Sequence, residues 1–91
     1  MDTIEYPING ELDLHTFHPK EVKDLVPDYL EACREKGIYQ IRIVHGKGKG
    51  VLRNMVHNIL EKLPEVEEYW QEGSAGSWGA TLVRLKNLSG D

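Results

Sequence analysis

The stretch from Ile38 to Leu63 constrains this chain more than any other. Ile38, Tyr39, Ile41, Ile43 and Val44 form a β-branched and aromatic run in which the polar Gln40 and Arg42 alternate, which reads as a largely buried strand. His45-Gly46-Lys47-Gly48-Lys49-Gly50 follows, with glycine at every second position. Leu52, Val56, Ile59, Leu60 and Leu63 then recur at helical spacing from Val51 until Pro64 ends the segment. A strand that turns through a glycine loop into an amphipathic helix has to lay that helix back on a sheet. An α/β fold is the result.

The remaining elements fit the same plan. Residues 1–10, with Pro7 and the turn pair Asn9-Gly10, read as a loose N-terminal extension. Glu11-Leu12-Asp13-Leu14-His15 alternates with period two, setting Leu12 and Leu14 on one face and Asp13 and His15 on the other. Pro19 suits a first helical turn, and Val22, Leu25, Val26, Tyr29, Leu30 and Cys33 give a helix from Pro19 to Lys36 one apolar stripe. Gly37 stops it, and Pro27 predicts a kink or break near Asp24. Val66 to Trp70 and Thr81 to Lys86 read as strands separated by a loop from Gly73 to Gly79, with residues 87–91 as a tail.

The predicted architecture is a two-layer α/β sandwich, β-α-β-α-β-β, with a mixed four-stranded sheet and two helices over residues 11–86. The first two strands should be parallel through a crossover, and the last two an antiparallel hairpin.

At 91 residues there is room for one thin core and not for two domains. A hydrophobic share of 40% and a charged share of 29% argue against a disordered chain. The solitary Cys33 rules out an internal disulfide framework and fits a reducing compartment, and it falls on the apolar stripe as a core residue. The acidic start lacks the basic-then-apolar pattern of a secretory signal, and no apolar run approaches the ~20 residues that span a bilayer. The expectation is a cytoplasmic protein without a membrane partner.

The net charge is −4, yet its distribution is uneven. Between Gly37 and Leu60 there is no Asp or Glu, while Arg42, Lys47, Lys49 and Arg53 lie there with His45 and His57. From Glu61 to Glu72 the sign reverses. Exposed charges are screened over about 8–10 Å, so a local basic face on an acidic domain can still meet a polyanion.

His15 and His45 end the first two strands. Adjacent parallel strands send their carboxyl ends to one edge, so the two imidazoles should converge there with Asp13 beside them. Gly46, Gly48 and Gly50 let backbone approach a ligand, the start of the second helix favours an anion, and Lys47 and Lys49 add mobile charge. Trp78, in a glycine-rich loop, offers an indole for stacking on a base or packs on the sheet edge.

Plainer readings stand beside these. Strand-end histidines are commonly hydrogen-bonded structural residues, alternating glycines satisfy tight turns, and His18 and His57 fit capping or solvent exposure. Asp13, His15 and His45 lack the close spacing of a strong zinc pattern. Nucleotide-binding glycine motifs are absent: Val51 stands where a dinucleotide fingerprint needs glycine, and no Gly-Lys-Ser/Thr occurs. No small-molecule cofactor is expected.

Three segments resemble one family. Leu12-Asp13-Leu14-His15 resembles the L-D-L-H-G motif that opens the Smr (small MutS-related) domain, and His45-Gly46-Lys47-Gly48 its H-G-x-G motif. Gly76-Ser77-Trp78-Gly79-Ala80-Thr81 resembles its G-G-x-G-x-T motif, with Ser77 at the second glycine; Thr16 likewise replaces the glycine after His15. The resemblance implies a fold similar to the C-terminal domain of bacterial translation initiation factor three. It also implies binding to DNA or RNA and, in several members, endonuclease or nicking activity. The positions it carries over are Asp13, His15, His45, Gly46, Gly48, Gly76, Gly79 and Thr81.

The expected function is therefore a stand-alone nucleic-acid-binding domain that cleaves phosphodiester bonds. Asp13, His15 and His45 are the candidate catalytic residues. Arg42, Gly46, Lys47, Gly48, Lys49, Gly50, Arg53, Gly76, Trp78, Gly79 and Thr81 are the candidate nucleic-acid contacts. A divalent metal held by Asp13 is the rival chemistry. A non-catalytic nucleic-acid-binding or protein-interaction module is the alternative, favoured by Thr16, Ser77 and the net negative charge.

Overall fold

A computed structural model describes residues 8–14, 17–46, 50–72 and 79–87. The elements are β1 (Glu11–Asp13), α1 (Pro19–Glu35), β2 (Gln40–Val44), α2 (Val51–Lys62), β3 (Val66–Gln71) and β4 (Ala80–Leu85). The order β-α-β-α-β-β is the one the sequence predicts, and the strands form one mixed sheet in the order β1-β2-β4-β3. β1 pairs in parallel with β2, whereas β4 is antiparallel to both β2 and β3.

The strand order follows from what each strand can bury. β4 is buried along most of its length and takes a central place, while β3, with Glu67, Glu68 and Trp70 exposed, lies at an edge. Charged edge strands resist pairing with other chains. Leu12, Leu14, Ile41, Ile43, Val83 and Leu85 turn to one face and form a single core with Val22, Val26, Tyr29, Leu30 and Cys33 of α1 and Val56 and Leu60 of α2. Each fully buried aliphatic side chain contributes about 1.5–3 kcal/mol to that burial. The other face of the sheet is open and carries Glu11, Asp13, Gln40, Arg42, Glu68 and Trp70.

Local expectations change at several points, among them the end of β1, which stops at Asp13 short of His15. α1 runs through Pro27 without a break. Proline there removes only the bond to the carbonyl of the exposed Lys23, and burial of the stripe on either side outweighs that loss. β2 starts at Gln40 and alternates buried and less buried residues, because only one face of the sheet is covered. The packed body also includes residues just before β1: Gly10, with φ of 95°, is buried and donates its N–H to Tyr29 Oη at 3.1 Å. Cys33, as expected, is core: it is fully buried, and burial pushes its thiol pKa up.

Tyr29 ties the sheet edge to α1. Its hydroxyl accepts from Gly10 and donates to the Glu11 carbonyl at 3.0 Å. Tyr29→Phe keeps the ring and orphans a buried N–H, so it is expected to lower unfolding free energy by about 1–3 kcal/mol. Urea unfolding of the variant beside the unmodified chain measures it.

Candidate functional site

The sheet topology brings the end of β2, the start of β4 and the residues leading into α2 to one rim. Val44 pairs with Ala80 in register, and the chain continues past both. Gly79 O accepts hydrogen bonds from His45 N at 2.7 Å and Gly46 N at 2.9 Å. The two backbones are so close that a Cβ on Gly79 would lie 2.5 Å from Gly46 Cα. Glycine at 79 is therefore a matter of space. Gly46 and Gly50 instead need their left-handed conformations, with φ of 84° and 82°. Gly50 caps α2, whose first turn carries no acidic residue, so the positive end of the helix dipole meets the rim uncompensated.

Val44 faces the open side of the sheet, so His45 turns toward the helices, where it is 6% exposed. Its Nε2 lies 2.8 Å from Thr81 Oγ1 and its Nδ1 3.2 Å from Gly46 O. Thr81, also buried, is shared: His57 Nε2 approaches the same hydroxyl oxygen at 2.9 Å. The two imidazole rings are 6.4 Å apart and nearly perpendicular. Tyr69 of β3 lies 5.0 Å from the His57 ring and donates to Glu61 Oε2 at 2.6 Å.

Burial lowers the pKa of His45, with the neighbouring Arg53 charge acting the same way and the Gly46 carbonyl opposing. Burial also lowers that of His57, assisted by His45 and Arg53 and opposed by Glu61. Both shifts favour the neutral ring at pH 7.

His57 is the residue that sequence reasoning missed. Periodicity predicts it outside the apolar stripe of α2, yet it is half-buried against Thr81. The stripe is broad, and its sheet-facing half is centred on Val56 and Leu60, the two buried residues of the helix. At about 100° per residue His57 lies only about 60° from Leu60, on the margin above β4. Leu52, Ile59 and Leu63 belong to the other half of the stripe, which pulls the apparent centre away from the sheet.

The predicted site residues divide. His45, Gly46, Gly50, Arg53, Gly79 and Thr81 come together at the rim. Arg53 folds back over the helix start, its Nη2 within 2.8 Å of where a Gly50 Cβ would stand. Asp13 does not join them: it pairs with Val44 on the open face, while His45 turns to the helix face. Arg42 is also on the open face, bound by Glu72 through two nitrogens at 2.9–3.1 Å and by Glu11. Hydrogen bonding to those carboxylates pushes its pKa up, so its charge is already matched. His15, Lys47, Gly48, Lys49, Gly76 and Trp78 lie outside the described residues, as do Thr16 and Ser77. Among the described residues no three His, Cys, Asp or Glu side chains gather as a metal-holding group.

Known proteins share this fold. The Smr domain family matches residues 12–86, which takes in the rim and nearly the whole sheet. The chain belongs to the Smr domain family. The crystal structure of the Smr domain of Thermus thermophilus MutS2 superposes with a TM-score of 0.77 at 30% identity, covering 86% of this chain and 99% of that one. YdaL, a stand-alone small MutS-related protein from Escherichia coli, shares the fold with a TM-score of 0.76 at 24% identity, over 91% of this chain and 69% of its own. Among curated relatives, a protein from Clostridium tetani named endonuclease MutS2 is 31% identical over 87% of this chain. Its counterpart from Caldicellulosiruptor bescii is 39% identical over 68%. This Smr domain spans about a tenth of the length of those relatives. No helix among its described residues is long and apolar enough to cross a membrane.

Proposed function

We propose that this Smr domain binds the sugar–phosphate backbone of a nucleic acid at the rim and cleaves a phosphodiester bond there. The observation that carries the reading is the juxtaposition of two imidazoles, bridged by Thr81, with an anion-favouring helix start. Neutral imidazole takes up a proton near physiological pH, which a hydrolytic step on phosphate requires. Arg53 supplies fixed positive charge at the same place and, among the described residues, has no ion pair. Lys47 and Lys49 follow in sequence between Gly46 and Gly50 and extend that charge in this reading. Arg42, held by two carboxylates on the open face, is not part of it. The homologous regions of endonuclease MutS2 proteins support the same reaction class.

The test is a binding and cleavage panel on single-stranded, duplex and junction DNA and RNA, with and without chelator. Binding should weaken with salt at a log–log slope of about −0.9 for each phosphate neutralised on duplex DNA. Arg53→Ala should reduce that slope by about one and weaken binding alike across sequences. Binding without any product on prolonged incubation would leave a binding module and remove the cleavage reading. No affinity at low salt for any of these polymers would remove both.

A further inference from the structure

The hydrogen bonds around Thr81 fix where the protons of the two imidazoles stand. Gly46 O can only accept, so the contact from His45 Nδ1 places a proton on that nitrogen. Neutral His45 then presents a bare Nε2, and the Thr81 hydroxyl donates to it. Thr81 has one hydroxyl proton. Toward His57 its oxygen can only accept, and His57 Nε2 must be the donor. Neutral His57 with its proton on Nε2 carries its lone pair on Nδ1. Among the described residues that nitrogen has no hydrogen-bond partner.

Building on the cleavage reading above, we propose that His57, through Nδ1, is the proton acceptor of the site, and that Thr81 and His45 are positioning residues that hold it in that tautomer. In the step this implies, a water oxygen forms a bond to phosphorus and gives its proton to His57 Nδ1. The bond from phosphorus to the leaving oxygen breaks, that oxygen takes a proton from bulk water, and the imidazolium later returns its own to solvent. His57 can gain this proton without disturbing Thr81, because its Nε2 remains a donor. His45 cannot. A proton on its Nε2 would turn two N–H groups toward one hydroxyl and deprive that hydroxyl of its acceptor.

The surroundings of His57 suit the role. Burial disfavours its charged form most, and the Arg53 charge of α2 acts the same way. Glu61, one helical turn on, favours the charged form and is held by Tyr69 of β3. A resting base with a carboxylate nearby is ready to accept a proton and to stabilise it once taken.

The experiment reads the imidazole nitrogens directly in the full 91-residue chain. Long-range 15N–1H correlation spectra at pH 7.5 should show His57 protonated at Nε2 and bare at Nδ1, and His45 the reverse. Thr81→Val should abolish this division, and Thr81→Ser should restore it. In cleavage assays His57→Gln, which removes the basic ring nitrogen without adding charge, should reduce the rate about 10²–10⁴-fold while binding stays within about twofold. A proton on His57 Nδ1, or cleavage by His57→Gln within about twofold of normal, overturns the inference. The expected nitrogen signals in a chain that binds but never cleaves would support the tautomer lock and overturn the proton-acceptor role together with the cleavage reading.

Discussion

Gly79→Ala is expected to lower the thermal midpoint by roughly 5–20 °C and to remove the functional rim with it. The added Cβ would stand 2.5 Å from both Gly46 Cα and Gly46 C and 2.8 Å from Gly46 N. All three are backbone atoms, so no side chain can swing aside. Either β4 moves away from β2 or the segment after His45 does. Each movement strains the two hydrogen bonds that Gly79 O accepts and separates Thr81 from His45. Overpacking of this kind costs about 1–3 kcal/mol or somewhat more, and each kcal/mol is worth about 4–8 °C in a domain of this size.

Gly46→Ala makes the informative comparison. Among the described residues a Cβ there meets nothing within 4 Å, so the left-handed φ is what opposes it, at about 1–2 kcal/mol. Circular-dichroism melts of the two variants, run beside a cleavage assay, rank them. A Gly79→Ala variant as stable as Gly46→Ala would show that the rim yields without cost.

Stability is expected to fall as the pH drops below about 6.5, well above the range in which carboxylates titrate. His45 and His57 both have folded-state pKa values below the ordinary histidine value, chiefly because burial disfavours the charged ring. The unfolded chain therefore takes up protons first, near pH 6.5, while the folded rings remain neutral. The stabilisation is fully present above that pH and is lost as pH falls toward the folded pKa values. Within the window each imidazole contributes a slope of up to about 1.4 kcal/mol per pH unit. Glu72 extends the trend to lower pH, since its hydrogen bonds to Arg42 hold its carboxyl below the usual range. Denaturant unfolding at pH 8, 6.5 and 5.5 tests the prediction, and His57→Gln should shallow the slope. A flat profile between pH 8 and 5.5 would mean that the rings charge as readily in the fold as outside it.

Much of this molecule can be read along the chain. The apolar periods of Pro19–Glu35 and Val51–Lys62, the β-branched run before His45 and the alternating glycines give the element types and their order. The rim could be anticipated because strand ends and a helix start have fixed directions once the order is known. Gly79 and Thr81 were recognisable from a motif, although their tasks were not: one is a close backbone approach and the other a shared hydroxyl. The boundaries of all four strands shifted by a residue or more, since hydrogen-bond pairing, not local propensity, ends a strand.

What the sequence determined by itself is the local conformation and the inventory of chemistry, because helical and extended periods are written in neighbouring residues. Only the tertiary structure decided which of that chemistry meets. Placing β4 between β2 and β3 put Thr81 beside His45, and the rotation of α2 about its axis brought His57 over both. Face assignment turned Asp13 and Arg42 to the open side, where Glu72 and Glu11 claim the arginine. Such pairings depend on contacts between residues distant in sequence, and on a few tens of degrees of helix rotation that the packing of a whole core sets.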